Sequence, residues 1–301
     1  MKTLTIFTPA YNRAYCIHTC YESLCRQTSK DFEWLVIDDG STDNTKELIN
    51  RFIIENKILI RYIFQENQGM HGAHNAAYRN IHTELNVCID SDDYMPDDAV
   101  ENIVTFWKEN GSDKYAGIIA IDRAIDGKII GTNFPENMKE TTLGGFYKSG
   151  GKGDKKLVYR TDISNKYSEY PLFEGEKYVN LAYKYSLIDQ DYKLLTMNKV
   201  ICYVDYKTDG SSMNMYRQYW TNPKGFAFTR INDMKLVSKG LISKFKTCTH
   251  YVSSSIIAGN KFYIKESPLK FLTILAIPTG LLFFLWIRYK VIHNIQLPKP
   301  E

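Results

Sequence analysis

The first ninety residues alternate two hydrophobic periods, and that alternation leaves few folds open. Residues 4–8, 33–37, 59–64 and 86–89 are short, apolar and rich in β-branched or aromatic side chains, the pattern of buried strands. Between them, residues 14–27, 44–55 and 72–81 repeat apolar side chains at helical spacing. Ser41 or Asp43 stands where the second of these helices needs an N-cap. A β-α-β-α-β-α-β order predicts a parallel sheet with right-handed crossovers, and such sheets bind ligands beyond the carboxyl ends of their strands. Pro9, Asp38, Asp39, Asp90, Asp92 and Asp93 all fall at those ends.

Further along, the pattern predicts a helix from Pro96 to about residue 109 and a strand over 117–121. Residues 131–155, which include KSGGKGDKK, read as a mobile loop. A helix is predicted over 178–185 and a strand over 202–208, followed by the turn-like DGSS. The six cysteines form no CxxC metal knuckle, and 301 residues can bury a core without a disulfide scaffold, so reduced and mostly buried thiols are expected. MKTLTIFTPAYNR offers no apolar signal core of useful length, so the body of the chain is expected to stay in the cytoplasm.

Charge is distributed unevenly. Twelve basic residues between Arg217 and Lys290 face only Asp233 and Glu266, giving that stretch +10 against −6 for the remainder. A basic end on an acidic body points to an anionic partner: lipid headgroups, phosphate or nucleic acid. The same region holds LKFLTILAIPTGLLFFLWI (269–287), whose uninterrupted part of 17 residues is at the lower limit for a bilayer span. Pro278 and Gly280 break it, and Lys270, Arg288 and Lys290 flank it on both sides, so a shallow, kinked helix pair embedded in a membrane is as well specified as a span. A buried core helix is the plainer alternative.

Two acidic runs carry chemistry. In CIDSDDYMPD, Asp90, Ser91, Asp92 and Asp93 follow a buried strand, where neighbouring carboxylates repel unless a cation sits among them. Hard oxygen ligands suit Mg²⁺ or Mn²⁺, which bridge a few carboxylates to substrate phosphates. An acidic turn capping the next helix is the structural alternative, with Asp97 and Asp98 suited to that task. In WLVIDDGSTDNT, Gly40 permits a tight turn after Asp38 and Asp39, and one of the two carboxylates should be structural while the other reads a ribose hydroxyl or a base imide.

FTPAYNR (7–13), VIDDGSTDNT (36–45), ENQGMHGAHNAAYRN (66–80) and IDSDDYMPDD (89–98) together resemble the consecutive motifs of family-2 glycosyltransferases with the GT-A fold. The likeness continues through GKGDKKLVYRTDI (151–163), YPLFEGEKYV (170–179), DYKTDGSSMN (205–214) and NPKGF (222–226), and the chain is similar to bacterial enzymes of capsule, exopolysaccharide or cell-wall synthesis. It implies an α/β GT-A catalytic domain over 1–215, with a nucleotide-binding half to about 110 and an acceptor half after it. Residues 216–301 would form a helical extension on the membrane.

The resemblance also implies roles. Pro9, Tyr11 and Arg13 would shape the nucleotide pocket, Tyr11 stacking on the base, and Asp39 would read uracil with Asp38 beside it. Asp92 would bind the metal, Asp90 would contact the ribose or the metal, Ser91 would contact the nucleotide-sugar, and Asp93 would position the donor sugar. His71 would close over the nucleotide with His74 and Asn75, the last two having a packing role as their structural alternative. The catalytic base would be Glu176, or else Glu174; Glu176 is preferred because it directly precedes a predicted helix, and a charge at a helix N-terminus is the alternative for both. Met70, Ser212 and Lys177 depart from the usual residues of these motifs. Lys152, Lys155, Lys156 and Arg160 would cover the diphosphate or remain a solvated basic loop.

The implied activity is inverting transfer from a nucleotide-sugar to a glycan or polyprenyl-diphosphate-linked acceptor on the cytoplasmic face of a membrane, with no nucleic-acid partner and oligomerisation left open. A sugar-nucleotide pyrophosphorylase would show a Gly-rich, Arg-bearing phosphate loop near the N-terminus, which FTPAYNR lacks. A non-catalytic binding protein would leave the acidic strand ends idle.

Overall fold

A computed structural model describes residues 2–205, 214–236 and 240–293. These form two compact units: residues 2–169 with 184–205, and residues 170–183 with the described residues from 214 onward. The segment bearing Glu174 and Glu176 belongs to the C-terminal unit and not to the first one.

In the first unit the opening alternation is realised as β1 (Leu4–Ala10), α1 (Ile17–Cys25), β2 (Phe32–Asp38), α2 (Thr45–Glu55), β3 (Ile60–Phe64), α3 (Met70–Asn80) and β4 (Leu85–Cys88). There follow α4 (Ala99–Asn110), β5 (Tyr115–Ala124), β6 (Glu140–Thr141), α5 (Leu143–Lys148), β7 (Lys155–Arg160), α6 (Thr161–Lys166), α7 (Ala182–Asp191) and β8 (Lys193–Val204). The eight strands make one sheet in the order β3-β2-β1-β4-β7-β5-β8-β6. β1 and β2 are buried along their whole length, which is why their apolar residues do not alternate strictly with polar ones; Thr5, Thr8, Glu33 and Asp38 are buried with them. Trp34 donates its indole N–H to the Thr8 hydroxyl at 2.9 Å, and Tyr21 stacks on Phe52 at 3.8 Å beneath the sheet.

The sheet is mixed. β1, β2, β3 and β4 pair in parallel, as do β5 and β8, but β7 runs antiparallel between β4 and β5, and β6 antiparallel to β8. Chain order reverses at β1, with β2 and β3 on one side and β4 on the other, so the switch point of the sheet lies beyond the carboxyl ends of β1 and β4.

Several expectations are corrected. Residues 131–155 contain β6 and α5, and the Thr142 hydroxyl accepts the Gly145 N–H at 2.8 Å to cap that helix. Lys155 and Lys156 start a central strand instead of ending a loop. The helix expected over 178–185 begins only at Ala182. The strand expected from residue 202 is the end of β8; residues 206–208 and the DGSS turn lie outside the described residues. Asp98 occupies the N-cap of α4 without a side-chain cap bond, whereas Asp97 pairs with Arg26 at 3.1 Å. Asn44, not Ser41 or Asp43, is the N-cap residue of α2, although the Asp43 carboxylate accepts the Thr45 N–H at 3.0 Å. Among the described residues all six cysteines are free thiols, four of them buried.

The second unit is helical: α8 (Met215–Thr221), α9 (Pro223–Lys235), α10 (Leu241–Ile257), α11 (Tyr263–Glu266), α12 (Lys270–Leu275) and α13 (Ile277–Ile292). The apolar stretch is broken at Ala276, one residue before α13 and two before Pro278, and no helix among the described residues is long and apolar enough to cross a membrane. Gly280 lets α13 approach α10, since a Cβ there would lie 2.5 Å from Val252 Cγ1. Ile287 is buried with Tyr219 and Phe226. The opposite face of α13 exposes Leu281, Leu282, Leu285, Trp286, Tyr289 and Ile292.

Candidate active site

The turn after β1 and the turn after β4 meet the solvent at the switch point. Pro9, next to last in β1, lies opposite Ile37, and Tyr11 just beyond the strand is 48% exposed, an aromatic face left open to a ligand. Asn12 takes a left-handed φ of 53°, and its side-chain oxygen accepts the Thr42 N–H at 2.8 Å, which fastens the β1 turn to the β2 turn. Arg13 reaches the Tyr15 hydroxyl at 2.6 Å.

Asp38 and Asp39 both make hydrogen bonds within the protein. Asp38 is fully buried, accepting from the Ser41 N–H at 2.8 Å and the Tyr62 hydroxyl at 2.6 Å, so it is the structural member of the pair. Asp39 is also turned inward: its oxygens accept the Gln65 amide at 2.6 Å, the Gln68 N–H at 2.9 Å and the Gly69 N–H at 2.7 Å. It thereby organises the loop that leads into α3. Gly40 has φ +83°, and a Cβ there would meet the Asn67 nitrogen at 2.8 Å, which excludes other residues from this junction. His71 is buried in the first turn of α3. His74 packs edge-on against Phe7 at 5.0 Å, and Asn75 is buried beside it, in keeping with packing roles for both.

At the end of β4, Ser91 and Asp93 are buried while Asp90 and Asp92 are partly exposed. Among the described residues no three His, Cys, Asp or Glu side chains are grouped to hold a metal. Two carboxylates suit Mg²⁺ or Mn²⁺ if water and phosphate oxygens complete the shell, as such ions prefer. The donor set therefore fits an ion that arrives with a diphosphate.

Asp93 Oδ1 accepts the Asp205 N–H at 3.2 Å, and Oδ2 lies 3.7 Å from the Lys156 ammonium. Burial pushes the Asp93 carboxyl up to about 7, against the pull of Lys156 and with the help of Asp90 and Asp92. Asp122 on β5, 2% exposed, is pushed up to about 6 by burial, again opposed by Lys156, which lies 4.0 Å away. Burial alone would lower Lys156, but the surrounding carboxylates outweigh it and hold the ammonium charged. Lys155 is buried on the other side of β7 and donates to the carbonyls of Ile130, Lys152 and Asp154. Neither is a solvated loop lysine; only Lys152 is exposed, and Arg160 pairs with Asp162. Asp122 was missed in the sequence, where its one signal is a carboxylate directly after the apolar run of a strand.

In the second unit, FEGEK and NPKGF form one joint. Both Glu176 oxygens accept backbone N–H groups at the start of α9, from Lys224 and Gly225, each at 2.9 Å. The Lys177 N–H donates to Asn222 Oδ1 at 2.6 Å, and Gly225 is required because a Cβ would lie 2.0 Å from the Tyr178 carbonyl oxygen. Glu176 is thus the helix-terminal charge that sequence reasoning kept as its alternative. Glu174 is exposed, one residue before Gly175 at φ +77°.

Over 98% of this chain and 93% of the other, the fold matches that of S. aureus TarS 1–349 in complex with UDP-GlcNAc, with a TM-score of 0.61 at 16% identity. A mannosyltransferase from Pyrobaculum calidifontis, in complex with GDP-Man and Mn²⁺, matches over 94% of this chain and 87% of that one, with a TM-score of 0.56 at 14% identity. The fold is GT-A. Residues 5–167 match the family described as Glycosyl transferase family 2, and the chain belongs to that family. A chondroitin synthase of Pasteurella multocida is 38% identical over 142 residues, which are 46% of this chain and 14% of that protein. The chain thus spans a small fraction of the length of this curated relative.

Proposed function

We propose that this chain transfers a glycosyl group from a nucleotide-sugar, a UDP-sugar in the first instance, to a glycan or polyprenyl-diphosphate-linked acceptor in cell-surface polysaccharide synthesis. The observation that carries the reading is the acidic run 90–93 at the β1/β4 switch point of a family-2 chain. Support for the donor comes from the UDP-GlcNAc and GDP-Man complexes of its structural neighbours, and support for the product class from the chondroitin synthase.

In this reading Pro9, Tyr11, Arg13 and His71 border the nucleotide, and Asp39 with the loop it organises reads the base. Asp90 and Asp92 would hold Mn²⁺ or Mg²⁺, which supplies neutralisation of the charge building on the departing diphosphate. Asp93 contacts the transferred sugar. A carboxylate of the 170–177 segment takes the proton of the acceptor hydroxyl as that oxygen attacks the anomeric carbon opposite the diphosphate, which inverts the linkage. Glu174 fits this task better than Glu176, whose two oxygens are committed to α9.

The enzyme would rest on the cytoplasmic face of a membrane through the exposed apolar faces of α12 and α13. Basic side chains nearby in sequence, Lys244, Lys246, Lys270 and Arg288, would each contribute ~1 kcal/mol beside anionic lipid.

The test is release of free UDP from a panel of UDP-sugars, with Mn²⁺ and with EDTA. Asp92→Asn is expected to abolish release and to remove metal-dependent donor binding while the melting temperature stays near that of the wild type. Wild-type turnover in this variant, or in EDTA, would remove the metal role; no release from any nucleotide-sugar would remove the transferase reading.

A further inference from the structure

Neighbouring carboxylates at a buried strand end need a cation, and the fold already contains one. Lys156 lies on β7, the antiparallel strand between β4 and β5, opposite Ala120 of β5. Only 13% of its side chain is exposed, and its ammonium stands 3.7 Å from Asp93 and 4.0 Å from Asp122. Asp93 is held from the other side by the Asp205 N–H. The arrangement runs from Asp122 on β5 through Lys156 to Asp93 after β4, whose side chain is 4% exposed and is the one read above as the contact to the donor sugar.

We propose that Lys156 is the positioning residue of the donor-sugar subsite, anchored by Asp122 and fixing the Asp93 carboxylate independently of any metal. The proposal rests on the functional reading of Asp93 given above. Acidic work at the strand end is then divided. Asp90 and Asp92 serve the ion and the diphosphate, and Asp93, neutralised from within, serves the sugar. The two carboxylates lie beyond ordinary hydrogen-bond length from the ammonium, so the lysine orients through charge at close range and leaves Asp93 lone pairs for a sugar hydroxyl. A lysine paired in a strand, here with Ala120 of β5, is a stiffer anchor than one on a loop.

The experiment compares binding of UDP with Mn²⁺, by calorimetry, with steady-state release of UDP from whichever of UDP-glucose, UDP-galactose or UDP-N-acetylglucosamine the wild type accepts. Lys156→Met is expected to keep UDP affinity within about twofold while kcat/KM for the UDP-sugar falls by about tenfold or more. Lys156→Arg, which keeps the charge, should recover most of that loss. Should Lys156→Met fail to fold, Asp122→Asn removes the anchor instead, and the same split is expected. Unchanged kcat/KM, or UDP and UDP-sugar weakened in parallel, overturns the assignment. Absence of UDP binding in the wild type would overturn the underlying functional reading instead.

Discussion

Burial, followed by the charges of Lys184 and His71, pulls the His74 pKa down to about 3. This lies below the unfolded value of about 6.5, so the folded state resists the proton. The stability from the neutral ring is complete above about pH 6.5 and is lost as pH falls toward 3, by up to about 1.4 kcal/mol per unit. Asp93 and Asp122, pushed up to about 7 and 6, act in the opposite sense over part of that window. A comparison of wild type with His74→Gln isolates the histidine. The destabilisation of the variant, measured by chemical denaturation, should be largest at about pH 7.5 and shrink steadily to about pH 4.5. A penalty that does not change with pH would mean the ring is not held neutral. At this scale the placement of the acidic residues was legible, because Asp38, Asp39, Asp90, Asp92 and Asp93 end or follow strands recognisable from their apolar residues. Lys156 was not, because a lysine among glycines and charges looks solvated until the strand that buries it is known.

The strand and helix order of the first ninety residues was legible for a simple reason: β1 and β2 are buried along their whole length and are mostly apolar, without strict alternation. β7 was not, since KKLVYR begins with two lysines whose charges are met by carboxylates and carbonyls distant in sequence. The start of α7 was misplaced because residues 174–177 are held by the N-terminus of α9, a contact across more than forty residues that no local pattern reveals. That joint makes a prediction. Glu176→Gln removes a charge from a helix N-terminus and should cost about 1–2 kcal/mol, seen as a lower melting temperature. Glu174→Gln should leave melting unchanged and lower kcat by about 10²–10⁴-fold with donor affinity retained. If the kcat loss falls on Glu176→Gln instead, the base assignment is reversed. Gly225→Ala should be more damaging to stability than either, because its methyl group would meet the Tyr178 carbonyl.

For the molecule as a whole, membrane attachment is best tested without truncation. Removing everything after Ser267 would strip Ala276 and Ile287 from the cores they share with Tyr251, Tyr219 and Phe226, and loss of fold would mimic loss of binding. Leu282 and Leu285 are 68% and 54% exposed, so replacing both with Glu changes the surface and not the core. The double variant should melt like wild type yet sediment less with vesicles containing phosphatidylglycerol, and raised salt should weaken wild-type binding. Equal sedimentation of the two would exclude this face as the contact. The composition already pointed to a basic, apolar end; which face of α13 is open depends on Gly280 and Ile287 packing inward, and that is a property of the assembled unit. The division into units also sets the rules for chimeras. A graft of the C-terminal unit onto another family-2 chain cannot be a single splice near residue 205, because residues 170–183 belong with it. A one-cut hybrid would leave the resident Glu176 to cap a foreign helix and would fail at that seam, whereas a two-piece exchange carries the joint intact.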